Sequence, residues 1–349
     1  MLFAYPIEAT ENNWLHECLC EMIQSIHASL DAGDEPQGWP EIIPTAHRVG
    51  LSSRWGLKDR LNGYRQVAKD LTETARQEII QILTDQNEIE RLLSCDHNCG
   101  TAADLPDAIR EQVKALFSFA FSLLKDLGIR DTFYCTIYEA SPNHVCPFCG
   151  CEYFDAPGAV REDLDHYLPR GSYPFAAANL RNLVPMGHKC NSGYKLGQDI
   201  LNKQDGTRRR AFDPYGGSSI KISLDDSLPF GGDDGVTPNW QIQFDPDTEE
   251  ASTWDEVFQI RTRYKRDVLN VFFRSWLTDF SRWCKSVGAA VGTNAALVDA
   301  IGRYATYWGG MGFQDRAFLR AAVFRMLKSQ CESGNERLIM LFRDMVVGA

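Results

Sequence analysis

Apolar residues recur at roughly helical spacing over most of this chain. In residues 1–30, Trp14, Leu15, Leu19, Met22, Ile23 and Ile26 predict an opening helix. A Gly-, Pro- and Asp-rich break follows (DAGDEPQGWPEIIP). Residues 57–94 are again strongly helix-like, with Leu71, Ile79, Ile80, Ile82, Leu83, Leu92 and Leu93 set among Glu, Gln, Lys and Arg. A further helix is expected over 105–127, where Pro106 suits a first turn and Gly128 a C-terminal end. From about Tyr138 to Tyr215 the period is lost, and Gly, Pro, Cys, His and Asn crowd into short segments. Two short strands are expected at Ser219–Leu224 and Trp240–Phe244, separated by the turn-rich LPFGGDDGVTPN. Residues 253–287 and 294–347 return to helix, interrupted near YWGGMGF. Trp254, Phe258, Phe272, Phe273, Trp276, Phe280 and Trp283 read as helical core rather than as a functional aromatic box. No internal repeat or low-complexity segment is present.

This pattern predicts a mostly helical α+β protein. Residues 1–137 form a helical N-terminal region, 138–217 a small irregular centre, and 218–349 a short β hairpin followed by helices. Composition adds limits. At 349 residues, 44% hydrophobic and 24% charged, the chain has the make-up of a globular protein. No run of about 18 apolar residues marks a membrane span, and the start carries no basic, apolar leader. A cytoplasmic, reducing location is therefore expected, where the eleven cysteines more readily bind metal than form disulfides.

Cys146-Pro147-Phe148-Cys149-Gly150 is a C-x-x-C turn of the kind that places two thiolates on one Zn²⁺, the glycine permitting the turn's backbone. Glu152–Glu162 is poor helix sequence, which disfavours a redox motif. Cys190, about forty residues on, is a third ligand. His188 is the first choice for the fourth, with His144 and Cys151 competing. Cys95 and Cys99, flanking His97, read as a capped helix end with buried thiols in preference to a second metal site.

Between the knuckle and Cys190 lie groups suited to cutting a phosphodiester, which needs a base for water and a hard cation with oxygen ligands. Asp165 offers a carboxylate beside the His166 imidazole, and on a strand the two point opposite ways. Asn191 offers a carbonyl oxygen at what reads as a helix start.

The ordered string Cys146/Cys149, Asp165-His166 with Pro169, Asn182-Leu183-Val184-Pro185, and Cys190-Asn191 with Lys195 resembles the HNH endonucleases of the ββα-metal type, in the form stapled by a zinc knuckle. The resemblance covers about fifty residues. It implies a zinc-stapled HNH domain at 138–217 between the two helical regions. It also implies that His166 is the general base, that Asp165 and Asn191 bind catalytic Mg²⁺ or Mn²⁺, and that Asn182 holds the His166 loop. Zinc on Cys146, Cys149, His188 and Cys190 would then be structural. One departure is Gly187, which stands where the family commonly has the first cysteine of a second C-x-x-C. Asp165→Ala is expected to raise stability slightly by relieving a crowded anionic site.

Charge points to the same segment. Residues 166–210 hold eight Lys/Arg against two acids, a local +6 in a chain of net −11, as phosphate binding requires. Lys195, Arg208, Arg209 and Arg210 are the expected substrate contacts. Double-stranded DNA is the expected substrate by resemblance alone, since no recognition helix or RNA-stacking motif is visible. The rival reading is a zinc-stapled nucleic-acid-binding or scaffolding module without catalysis. In size and layout the chain resembles effectors of bacterial restriction or antiphage defence, including Septu-type systems in which an HNH nuclease works with an ATPase partner.

Overall fold

The computed structural model describes residues 1–159 and 164–347. The chain is α+β and mostly helical, with two small sheets. It divides into two compact units: residues 4–141 with 154–218, and residues 1–3 with 142–153 and 219–349. The expected central body at 138–217 is therefore not one compact piece, because the knuckle segment and the Asp-His segment belong to different units. Each is too short and too irregular to bury a core of its own and packs onto helices instead.

In the unit of residues 4–141 and 154–218, the helices are α1 (Trp14–Asp31), α2 (Arg48–Leu51), α3 (Trp55–Lys69), α4 (Glu73–Asn87), α5 (Ile89–Leu93), α6 (Asp107–Asp126) and α7 (Ile129–Ala140). The single helical stretch expected over 57–94 is broken twice. Thr72, in extended conformation, accepts from the Ala75 amide and caps α4, and Glu88 leaves helical geometry before α5. Gly128 takes φ +71°, a left-handed conformation that ends the α6 run as expected. Leu15, Leu19, Met22, Ile23 and Ile26 of α1 are fully buried with Ile109, Val113, Leu116 and Phe117 of α6. The sheet here is one antiparallel pair, β1 (Leu164–His166) with β2 (Leu183–Pro185), in the register Leu164↔Pro185, Asp165↔Val184, His166↔Leu183.

In the other unit, β3 (Lys221–Ser223) pairs antiparallel with β4 (Gln243–Asp245), inside or beside the two expected strands. The helices are α8 (Glu249–Phe258), α9 (Ile260–Arg263), α10 (Asn270–Val287), α11 (Asn294–Gly310), α12 (Ala317–Glu332) and α13 (Glu336–Val347). Gln259, at φ +51°, breaks α8 from α9, and the interruption expected near YWGGMGF falls between α11 and α12. The aromatic residues form core. Phe280 is fully buried against Tyr304, Phe324 and Phe342, with ring centroids 5.1–5.5 Å apart, within the favourable range for aromatic pairs. The non-helical reading of 152–162 holds to residue 159, and residues 160–163 lie outside the described residues. No helix among the described residues is long and apolar enough to cross a membrane.

Burial of imidazoles in α1 has a pH consequence. His16 and His27 are 4% and 2% exposed, and desolvation pulls both pKa values from 6.5 down to about 4. Between those values the unfolded chain binds more protons than the folded one. Stability is therefore full above about pH 6.5 and falls as pH drops toward 4. Urea midpoints measured across this window are expected to decline, and to decline less steeply for His27→Gln, whose amide can still pair with the Tyr64 hydroxyl that lies 2.6 Å from His27 Nε2.

Candidate hydrolytic site and thiol cluster

The Asp-His strand is held by β2 on one side and by the chain that connects them. Asn182, fully buried at the start of β2, accepts from the Leu168 amide at 2.6 Å through Oδ1. Its Nδ2 donates to the Leu168 and Ala176 carbonyls at 3.0 and 3.1 Å. Its own carbonyl accepts from the Tyr167 amide. One side chain thus closes the loop that follows His166. On β2, the carbonyls of Leu183 and Pro185 accept from the hydroxyls of Tyr215 and Tyr5.

The loop is docked on the N-terminal helices by buried amides. Gln86 of α4 accepts from the Phe175 amide at 3.0 Å and donates to Gly100. Asn179 donates to Asn87 and accepts from Asn13, which in turn accepts from the Leu180 amide. Phe117 of α6 meets Phe175 edge to face at 5.2 Å. These partners leave the loop's buried backbone groups satisfied, which fixes its path.

His166 Nε2 lies 3.0 Å from the Ala177 carbonyl. A carbonyl only accepts, so Nε2 carries the proton and Nδ1 keeps the basic lone pair. The ring rests on Phe121 of α6, centroids 4.4 Å apart. Burial, with smaller contributions from the Arg170 and Lys195 charges, pulls the His166 pKa from 6.5 to about 4, against the opposing hydrogen bond to Ala177. The imidazole is neutral at pH 7 and available as a proton acceptor.

Lys195 overturns one expectation. It is 1% exposed, pairs with Asp165 Oδ2 at 2.7 Å, and donates to the His166 carbonyl at 2.9 Å. It is an internal counter-ion and not an outward phosphate contact. The Asp165 surroundings are consequently cationic, so removing its carboxylate leaves a buried ammonium unpaired; the expected gain in stability for Asp165→Ala is reversed.

Asn191 is half-buried in the wide helical turn Lys189–Lys195, where its carbonyl accepts from the Leu196 amide five residues on. The same turn carries Lys195 to β1, so Asn191, Asp165 and His166 belong to one small assembly of two strands and a helical turn.

Two of the expected arginine contacts are also internal. Arg209, 4% exposed, donates to the Asp199 and Ile200 carbonyls, and Arg208 donates to those of Leu92, His97 and Leu201. Their guanidiniums satisfy carbonyls of irregular chain that no ladder reaches. Arg210 is part-exposed, 3.9 Å from Asp96. Arg170, counted in the sequence only as one of eight cations, is exposed on the His166 loop, and its charge is felt at His166. Its place after Asp165-His166-x-x-Pro169 was the signal that could have singled it out.

Cys146, Cys149 and Cys190 are buried, with their sulfurs within 4.8 Å of one another, a set able to hold a metal ion. The C-x-x-C turn closes through Cys149 and Gly150 amides donating to the Cys146 carbonyl. Gly150 has φ +63°, and a Cβ there would lie 2.6 Å from Leu2 and 2.9 Å from Phe318, so only glycine fits. Trp254 and Tyr264 donate to the carbonyls of Phe148 and Cys149. His188, the expected fourth ligand, is exposed and outside the group. It precedes Cys190 by two residues in a helical turn, which puts it on the opposite side. His144 and Cys151 are also outside the group, although Cys151 hydrogen-bonds to Cys149. Among the described residues, Cys95, His97 and Cys99 form no such group; His97 pairs with Asp85 at 2.8 Å.

No family model, curated protein or solved structure matches the chain.

The Asp165–Lys195 pair sets a double-mutant test. Lys195→Met is expected to cost about 3–5 kcal/mol in chemical denaturation, because Asp165 is left without its buried counter-ion. Adding Asp165→Asn should recover a substantial part of that loss, a non-additivity that two independent surface sites would not show.

Proposed function

We propose that this chain is a metal-dependent endonuclease of the HNH type that hydrolyses DNA phosphodiester bonds. The observation that carries the reading is His166. Its proton sits on Nε2 by virtue of the Ala177 carbonyl, its Nδ1 is left basic, and Asp165 stands beside it on the strand. In the proposed reaction His166 Nδ1 takes a proton from water, and the resulting hydroxide attacks phosphorus in line with the leaving 3′-oxygen. The Ala177 carbonyl keeps the imidazole from turning, Asn182 holds the loop that follows it, and Arg170 offers an exposed charge to a non-bridging phosphate oxygen.

The oxygen donors of Asp165 and Asn191 suit a hard cation. One Asp165 oxygen is already compensated by Lys195, so Mg²⁺ or Mn²⁺ would draw on the other together with the Asn191 carbonyl. When bound, such an ion supplies charge stabilisation at the leaving oxygen. The sulfurs of Cys146, Cys149 and Cys190 suit Zn²⁺, with Cys151 a better-placed candidate for the fourth position than His188.

The same ion pair also favours a second reading, a zinc-stapled nucleic-acid-binding module without catalysis, because Lys195 neutralises the carboxylate that a catalytic ion needs. Plasmid nicking with Mg²⁺ or EDTA separates the two. His166→Ala is expected to lower the rate by about 10²–10⁴-fold, the usual contribution of a general base. Unchanged nicking by that variant would favour the binding module.

Zinc content provides an independent check. Cys149→Ala is expected to lose about one zinc per chain and to melt lower, because a structural zinc site contributes folding energy directly. His166→Ala should keep its zinc. Elemental analysis beside a melting curve reads both, and zinc loss from His166→Ala would contradict the separation of the two sites.

A further inference from the structure

A second basic stretch lies far from the Asp-His segment in sequence. Residues 48–69 hold six cations (Arg48, Arg54, Lys58, Arg60, Arg65 and Lys69) against the single acid Asp59. Four of the six are used internally. Arg48 donates to the Glu41 and Ile43 carbonyls, Arg60 to that of Gly56, Arg65 to those of Pro36 and Gln37, and Lys69 pairs with Glu35. Among the described residues no carboxylate pairs with Arg54, Lys58 or Arg60, which cluster in and just before the first turns of α3.

In their midst Trp55 is 64% exposed, and Lys58 Nζ stands 4.7 Å from its ring centroid. A lone exposed tryptophan needs no explanation, but one with a lysine over its ring that has no carboxylate partner among the described residues, on a −11 chain, does. The arrangement has the two elements that bind nucleic acid without sequence readout: charge for the phosphates and an aromatic face for a base.

The surface connects to the candidate site through α6. Arg60 lies over the Phe119 ring at 4.1 Å, and Gly56 approaches that ring so closely that a Cβ would stand 2.4 Å from it. Two residues further along α6, Phe121 carries the His166 ring. At about 100° per residue, Phe119 and Phe121 flank the buried face of the helix on opposite sides. The outer strip between them contains Ser118, Ser122, Lys125 and the exposed Asp126, groups that together carry no net charge toward a polyanion. The strip is one helix wide, on the order of 10 Å.

We propose that the face running from Trp55 and Lys58 of α3, over the outer strip of α6, to His166 seats the nucleic-acid strand beyond the scissile phosphate. Lys58, with Arg54, contacts backbone phosphates, and Trp55 stacks on or wedges against a base. The strand's orientation toward His166 rests on the nuclease reading; the binding surface itself does not.

The test uses full-length His166→Ala protein, which leaves substrate uncut, with fluorescent duplex and single-stranded DNA in anisotropy titrations at several salt concentrations. Lys58→Glu is expected to weaken binding about tenfold and lower the salt slope by about one or more. Trp55→Ala should weaken it by a similar factor. Stronger loss on single-stranded DNA assigns Trp55 to stacking; stronger loss on duplex assigns it to a groove wedge. Trp55 is exposed and Lys58 part-exposed with no carboxylate partner among the described residues, so melting temperatures should stay close to the parent. Affinities equal to the parent for both variants would overturn the proposal and leave the face to a protein partner, whatever the cleavage result. Loss of affinity would sustain it even if the otherwise wild-type chain cut nothing.

Discussion

A buried ammonium organises the candidate site. Lys195 bridges the Asp165 carboxylate and the His166 carbonyl from the end of a helical turn, tying that turn to a strand only three residues long. A two-stranded pair of this length is not stable alone. Two charges removed from water attract each other strongly only if geometry and further hydrogen bonds are right, and the backbone carbonyl supplies the extra partner. The same contact brings the turn that carries Asn191 against the Asp-His strand and places positive charge near His166.

Around this pair the connecting chain has almost no regular structure, so its backbone polar groups are satisfied one at a time. Asn182, Gln86, Asn179 and Asn13 do this with side-chain amides, each able to donate and accept. The N-terminal helices are in this sense the site's foundation: Gln86 and Asn87 come from α4, Phe117 and Phe121 from α6, and Asn13 from the residue before α1. The half-buried Arg208 and the buried Arg209 serve the same need, donating into clusters of carbonyls that strands would otherwise have paired.

That use of cations separates formal charge from available charge. The +6 of residues 166–210 looks like a phosphate-binding run, yet Lys195 and Arg209 are buried and Arg208 is tied to three carbonyls. The cations of this run that face outward are Arg170 on the His166 loop, Lys189 and Lys203, with Arg210 part-exposed; from a different part of the chain comes the part-exposed Lys58 near Trp55. The field that a nucleic acid would meet is thus assembled from segments that no local charge count joins.

Helical spacing alone determined much of the architecture: α1, α6, the break between α11 and α12, and the aromatic core around Phe280 follow from periodicity and from glycines that must end helices. The sequence order of Cys146, Cys149, Asp165, His166, Asn182 and Asn191 was enough to nominate a site, since residue type and spacing are local properties. Only the tertiary structure decided that His188 faces away from the thiols, that Lys195 belongs to Asp165, and that Arg208 and Arg209 hold up the loop. It also decided that the segment 138–217 is divided between two compact units. For the side chains His188, Lys195, Arg208 and Arg209 the physical reason is the same. A long cationic or imidazole side chain goes to solvent or to an internal acceptor according to which carbonyls and carboxylates the fold leaves without partners, and those are known only when every other segment has been paired.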